Sequence, residues 1–243
     1  VFSVFPFSVG DVAYITLVVL IIRWCWSNRK SWKIAWRDHL LSMVNCISIF
    51  YFLFHFLWAL NYYRQPLSEK MQIETEYSDE DLVHFTEKLI VKTNAIHRQL
   101  VLNDSLKVAV QNSTESIYKQ TLNGYKKIAN RYPYFQFQEL STKNSLLRVP
   151  LSYMGFSGYL NPLTNEAQLN NLVPKYNLPS TATHEMAHQI GYASESECNF
   201  IGFLSAINND DLYFKYSGYS FALKYCLNSL KLKDQQAFEK IIP

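Results

Sequence analysis

Hydrophobic and polar positions divide the 243-residue chain into two unlike parts. Residues 40–60 (LLSMVNCISIFYFLFHFLWAL) run for 21 positions without an Asp, Glu, Lys or Arg. At 1.5 Å of rise per residue, a helix of that length reaches about 31 Å, which matches the roughly 30 Å hydrocarbon core of a bilayer. Helices buried in soluble proteins rarely run so far without a charge, so the segment reads as a transmembrane helix. Trp58, Tyr62 and Tyr63 then fall at the interface that amphipathic rings prefer. Inside it, His55 reads as a partnered or snorkelling side chain rather than a functional site. Residues 12–26 (VAYITLVVLIIRWCW) form a shorter apolar stretch, which spans only with a tilt, local thinning of the bilayer, or Arg23 reaching toward the headgroups. If both segments span, the basic loop 27–39 (SNRKSWKIAWRDH) is the cytoplasmic hairpin and everything after residue 60 lies outside the cytoplasm. A cleavable signal peptide fits poorly, because a charged loop and a second long apolar run follow and no small-residue cleavage pattern is present.

Beyond residue 60 the pattern becomes that of a globular domain. Residues 61–77 mix charges, a proline and little periodicity, as in a juxtamembrane linker. A helix is predicted from Ser78, which can cap it with three acids at positions 79–81 on the N-terminal dipole. Leu82, Phe85, Leu89, Ile96 and Leu100 supply its apolar stripe. A second helix is predicted over residues 114–131, with Ile117, Leu122, Tyr125, Ile128 and Ala129 on one face, stopping before Pro133. Five of the seven glycines fall between residues 155 and 218, and residues 146–172 carry short apolar runs broken by Gly, Pro and Asn, which predicts two or three strands. The expected fold is α+β and mainly α: a membrane region (1–60), a linker (61–77), and a domain with a small sheet (78–243).

Charge narrows the function classes. Residues 61–243 hold 18 Lys+Arg against 18 Asp+Glu, so the net charge of +3 arises in residues 23–39, less one for Asp11. With no basic stripe or finger motif, nucleic acid is not an expected partner. The 38 aromatic residues argue against disorder. Cys25, Cys46, Cys198 and Cys226 form no C-x-x-C pair and do not read as a disulfide framework; Cys198 is better explained as part of a helix face than as a partner of Cys226.

The chemistry concentrates at His184-Glu185-Met186-Ala187-His188, an H-E-x-x-H pattern. On a helix, its histidines stand one turn apart on one face, where both imidazoles can bind a single zinc, and Glu185 beside them can act as a general base. Neutral imidazoles suit a borderline-soft cation that keeps one position open for water. Pro179-Ser180-Thr181 offers a helix start and Gly191 a stop. A catalytic zinc needs a third protein ligand. No histidine follows His188, and His84 or His97 would have to come from a distant helix, so a carboxylate is the better candidate. If residues 195–207 are helical at about 100° per residue, Glu195 heads a row with Asn199, Gly202 and Ala206 that lets this helix approach the zinc helix closely. Glu197 points to the opposite side with Ile201 and Leu204. Glu195 is therefore favoured as ligand over Glu197, with Asn199 one turn on as a partner able to orient a ligand histidine. The other glutamate is then a helix-start acid, since Ser194 and Glu197 also have capping-box spacing.

The pattern His184-Glu185-x-x-His188 followed by Glu195-x-x-x-Asn199 resembles the gluzincin metallopeptidases, the thermolysin-like class. It departs from them in the very short gap between the two helices and in having Asn199 where an Asp is usual. The longer run GYLNPLTNEAQLN, THEMAHQIGYASESECNFIGFLSA and YFKYSGY resembles a bacterial family of membrane-anchored proteins, the domain of unknown function 3810 family, over most of the chain. Together these resemblances imply a Zn2+-dependent, peptidase-like protein in a bacterial inner membrane; the two apolar segments and the basic loop then make it multi-pass, with its zincin-like domain on the non-cytoplasmic side. They also imply an edge strand for the substrate, either Gly158–Asn161 or Glu166–Leu169, and a donor for the oxyanion, for which Tyr213, Tyr216 and Tyr219 are candidates in a glycine-containing stretch suited to a loop. The expected partners are a peptide or protein substrate and the lipid bilayer. The competing readings are an inactive zincin-fold sensor or scaffold that binds peptide, and a hydrolase of non-peptide amides.

Overall fold

Ten helices and three strands make up the computed structural model, which describes residues 2–137, 139 and 141–241. In chain order these are α1 (Val9–Asn28), α2 (Trp36–Leu57), α3 (Leu67–Met71), α4 (Asp79–Leu100), α5 (Thr114–Arg131), β1 (Thr142–Asn144), α6 (Arg148–Met154), β2 (Gly158–Asn161), β3 (Glu166–Leu169), α7 (Leu178–Gln189), α8 (Glu195–Asn208), α9 (Leu212–Lys233) and α10 (Gln235–Ile241). The fold is mainly helical with one small sheet, as expected.

Both apolar segments form helices long and apolar enough to cross a membrane. Each differs at its ends from the expected span. The first starts earlier, at Val9, because the Ser8 side chain accepts the Asp11 amide as an N-cap. The second ends at Leu57, and residues 59–63 tighten into a 3-10 turn. Among the described residues α2 buries none of its side chains, and α1 buries only Gly10 and Asp11. The two meet around their connecting turn, where the Trp24 ring packs edge-on against Trp32 and His39 at 5.6 and 5.5 Å. His55 bonds the Tyr51 carbonyl one turn back through Nδ1 at 2.9 Å, which satisfies it within its own helix.

The rest packs around α7 and α8. Tyr125, Ile128 and Ala129 of α5, Met186 and Ala187 of α7, and Cys198 and Ile201 of α8 form the main core with Phe135 and Tyr192. Ser78 and Asp81 form a full capping box at the start of α4. The buried face of α4 is Leu82, Thr86, Leu89, Thr93 and Ile96, whereas Phe85 is exposed, contrary to the sequence expectation. The two threonines are tolerated inside because their hydroxyls donate to the carbonyls of Leu82 and Leu89, both at 2.7 Å. Residues 61–77 are not merely a linker. Leu67 is buried in the main core, and the Arg64 guanidinium lies over the Tyr192 ring at 4.7 Å while donating to the Ile190 and Gly191 carbonyls.

The sheet has the order β1-β3-β2, with β1 parallel and β2 antiparallel to β3. Glu166–Leu169 is therefore the central strand and Gly158–Asn161 an edge. Residues 146–172 supply two strands, within the expected two or three. The third strand, β1, precedes them, and residues 148–154 form the short helix α6.

A buried polar junction ties α1 to this sheet. The Gly10 and Val9 amides, in the first turn of α1, donate to the Glu166 carboxylate at 2.7 and 3.3 Å. Lys143 of β1 pairs with the same carboxylate at 2.5 Å and donates to the carbonyls of Phe2 and Phe7. Asp11 accepts from the Leu146 amide at 2.6 Å, from the Ser145 hydroxyl at 2.9 Å and from the Tyr159 hydroxyl. Burial alone pushes the Glu166 carboxyl upward. The Lys143 ammonium and the Gly10, Thr164 and Val9 donors outweigh it and hold the group below its ordinary value of 4.5.

A depressed carboxyl contributes stability that is present above its unfolded value and lost as the pH falls through the folded one. Glu166→Gln leaves the Lys143 charge buried without its partner. The variant is expected to lose about 3–5 kcal/mol at neutral pH, and also the share of acid sensitivity that sets in below about pH 4.5. Denaturant unfolding of the full chain in detergent at two pH values checks both; wild-type stability at neutral pH would contradict the role of the pair.

Candidate metal-binding cleft

The side chains of α7 owe their placement to how that helix is held at both ends. Ser180 and Thr181 return their hydroxyls to the Asn177 carbonyl at 2.9 and 3.0 Å, closing the first turn. At the other end Gly191, at φ 89°, lets its own amide reach the His188 carbonyl and the Tyr192 amide reach the Ala187 carbonyl. The expected stop at Gly191 is thus present. Gln189 fastens this end to the sheet by donating to the Ser141 and Asn165 carbonyls at 2.9 and 2.7 Å. From α5, the Tyr125 hydroxyl donates to the Thr183 carbonyl at 2.5 Å.

On the resulting face the rings of His184 and His188 stand 4.9 Å apart, centre to centre. The Glu195 carboxylate of α8 lies between them, one oxygen 3.2 Å from His184 Nε2 and the other 3.4 Å from His188 Nε2. Donor atoms of the three residues lie within 4.8 Å of one another, a spacing that can hold a metal ion. His188 Nδ1 sits 2.8 Å from the Tyr192 carbonyl. A carbonyl only accepts, so Nδ1 carries the proton and Nε2 keeps its lone pair toward Glu195. Behind it, the Cys198 thiol donates to the same carbonyl at 3.2 Å, and the Trp58 ring covers His188 edge-on at 5.4 Å.

The approach of α8 depends on Gly202. A Cβ there would lie 3.0 Å from the His184 amide nitrogen and 3.1 Å from its Cα, so one backbone would have to give way by a few tenths of an ångström. The row of Glu195, Asn199, Gly202 and Ala206 does lie on the α7 side, as its helical phase predicts, with Glu195 at its exposed end. Glu197 points the other way and accepts the Leu67 amide at 2.6 Å, capping α3. Ser194 makes no side-chain cap to α8, so the capping-box alternative for Glu197 does not form.

Glu185 is buried, with one carboxylate oxygen that has no hydrogen-bond partner. Burial pushes its carboxyl up to about 7; the nearby His184 works against that rise, and Glu195 adds to it. Burial acts to lower His184, but the Glu195 hydrogen bond and the charges of Glu185 and Glu195 raise it overall, with Asn199 adding to the rise. His188 is lowered, first by burial and then by His184. The hydrogen bond from His184 holds Glu195 below the carboxylate range. Burial raises the Cys198 thiol, which keeps it protonated.

These residues open into a cleft of about 520 Å³. One wall is the edge strand, from Ser157 to Leu160, and a Cβ on Gly158 would touch the Glu185 carboxylate at 2.8 Å. Asn199, Phe221 and Lys224 also line the cleft, as do Trp58 and Tyr62 just past the end of α2. Asn199 also donates to the Tyr225 hydroxyl at 3.3 Å. The tyrosine expectation fails. Tyr213, Tyr216 and Tyr219 belong to the continuous helix α9, not to a loop, and none lines the cleft. Tyr216 packs on His97 and Tyr176, and Tyr219 on Phe203. The reason is Gly218, which serves as a contact point against Ala206 of α8 rather than as a hinge. His84 and His97 lie on α4, away from the cleft. The sequence points to Trp58 only as an interface residue and to Tyr159 only as part of the candidate edge strand Gly158–Asn161, and holds no signal for Phe221 or Lys224, which reach the cleft through tertiary packing alone.

Gly202→Ala is expected to force α8 away from the His184 backbone and to cost about 1–3 kcal/mol of stability. Chemical denaturation of the full chain measures this; an unchanged midpoint would show that the two helices can part without cost.

A family model described as protein of unknown function (DUF3810) matches residues 1–243, so the chain belongs to that family. No curated protein and no solved structure matches it.

Proposed function

We propose that this member of the DUF3810 family is a membrane-anchored zinc metallopeptidase of gluzincin type, with His184, His188 and Glu195 as metal ligands and Glu185 as general base. The observation that carries this reading is the Glu195 carboxylate set between two imidazole Nε2 atoms, at 3.2 and 3.4 Å, beside a buried carboxylate with a free oxygen. The donor set fits zinc. Two imidazoles and one carboxylate are ligands this ion accepts, and the Tyr192 carbonyl fixes His188 in the tautomer that can bind through Nε2. Bound zinc would supply Lewis-acid polarisation of a substrate carbonyl and make water nucleophilic near neutral pH.

The chain's own groups account for the remaining steps. Glu185 lines the cleft, where its carboxylate can take a proton from water and later return it to the leaving amine. The free edge of β2 offers backbone donors and acceptors to an extended polypeptide, and the bare Cα of Gly158 keeps that edge close to Glu185. Cys198 and Trp58 hold the His188 ring from behind and from the side. The two apolar helices support an inner-membrane location. The basic turn at residues 29–35 would then be cytoplasmic, and the domain after α2 non-cytoplasmic.

Two variants separate the glutamates of α8. Glu195→Ala is expected to abolish zinc retention by the purified full chain, as read by elemental analysis after dialysis. Glu197→Ala is expected to keep the metal while losing about 1–3 kcal/mol, because the Leu67 amide is left without its acceptor. Zinc loss in the second variant alone would overturn the ligand assignment. Glu185→Gln should retain zinc and fold yet lower cleavage of a mixed peptide library by about 10²–10⁴-fold. Undiminished cleavage by that variant would show that Glu185 is not the general base.

A further inference from the structure

We infer that the segment from Leu146 to Phe156, centred on α6, is a membrane-surface element whose apolar face sits in the headgroup and acyl boundary of the same bilayer that α1 and α2 cross. The inference rests on those two helices spanning and is independent of the metal reading.

The face is unpartnered within the chain. Leu146, Val149, Tyr153, Met154 and Phe156 are all exposed, Tyr153 at 91%. At about 100° per residue, Val149, Pro150, Tyr153 and Met154 share an arc of roughly 140°. The inward side of α6 carries Leu151, which is buried, and Ser152, whose hydroxyl accepts from Asn170 at 2.8 Å. Arg148 turns away from the apolar arc to reach Asn171. A short helix with one apolar arc and a polar remainder is suited to lie in an interface plane.

Its position identifies what covers it. The Leu146 amide and Ser145 hydroxyl are bonded to Asp11, in the first turn of α1, and Gly10 and Val9 are bonded to Glu166 of the sheet. The start of α6 is therefore fixed beside the point where the first apolar helix leaves the domain. Val4, Phe5 and Phe7, just before α1, are also exposed, and Tyr62 and Tyr63 project where α2 returns. Exposed aromatic and aliphatic groups thus flank both helix ends, as in the belts that mark a membrane boundary. Gly155, at φ 79°, ends α6 and turns the chain so that Phe156 lines the cleft, which sets the mouth of the cleft at the bilayer surface. Lipid is the occupant favoured over a second protein because this face continues from helices whose own apolar surface the chain leaves uncovered.

The test uses the full chain with Cys25→Ser, Cys46→Ser and Cys226→Ser, reconstituted in vesicles of phosphatidylethanolamine and phosphatidylglycerol. A nitroxide is attached in turn at Val149→Cys, Tyr153→Cys, Leu102→Cys and Val19→Cys, all exposed positions whose replacement disturbs no core. Collision with oxygen and with a water-soluble nickel chelate is read by electron paramagnetic resonance. Positions 149 and 153 are expected to favour oxygen severalfold over the chelate, at a depth shallower than position 19, while position 102 favours the chelate. If 149 and 153 follow 102 while 19 reads deep, the inference is overturned and the spans stand. If 19 also follows 102, the spanning reading and the inference fall together.

Discussion

The placement of one carboxylate between two imidazoles depends on how closely α8 can approach α7. Glu195 reaches His184 and His188 because Gly202, two turns further along α8, has no side chain to hold the His184 backbone off. That approach also places Cys198 behind His188 and brings Asn199 into the cleft beside His184. The contact brings polar groups together beneath apolar neighbours, which costs free energy unless each group is partnered. Most are: His188 by Tyr192, His184 by Glu195, Cys198 by Tyr192. The exception is Glu185, whose buried Oε2 has no partner.

The same economy operates where the domain meets the apolar helices. The first amides of any helix have no partner within it, and at the start of α1 Glu166 takes two of them while Lys143 balances its charge. Asp11 holds the start of α6 and the hydroxyl of Tyr159. Tyr159 belongs to the strand that walls the cleft, so the sheet, the first apolar helix and the cleft form one mechanical unit. At the other side, Trp58 at the end of α2 rests on His188. The second apolar helix thus ends against the cleft, and the first begins beside the strand that walls it.

Local signals were legible in the sequence and long-range ones were not. The ends of α5 agree with the predicted 114–131, because Ser113 and Pro133 act within a turn of the residues they affect. Gly191 stops α7 for the same reason. Helical phase alone distinguished Glu195 from Glu197, since both sit on one rigid element. The helix α6 was invisible: Pro150 and Gly155 look like strand breaks, and the bond that fixes its start comes from Asp11, 135 positions away. Gly218 is equally compatible with a hinge and with a close helix contact, and only the neighbouring α8 decides between them, which is why the tyrosines of α9 were misplaced. Residues 64–71 read as a linker because their composition is polar, yet Arg64 and Leu67 are committed to Tyr192 and the core. Asp11, a lone acid at the head of an apolar run, was the available clue to the junction with the sheet.

X-ray absorption at the zinc edge, on the full chain in detergent loaded with one equivalent of zinc, tests the proposed ligand set most directly. The expected result is a shell of nitrogen and oxygen at about 2.0–2.2 Å that includes two imidazoles. A sulfur neighbour at about 2.3 Å, which would bring Cys198 into the coordination sphere, or the absence of any bound metal, would contradict it.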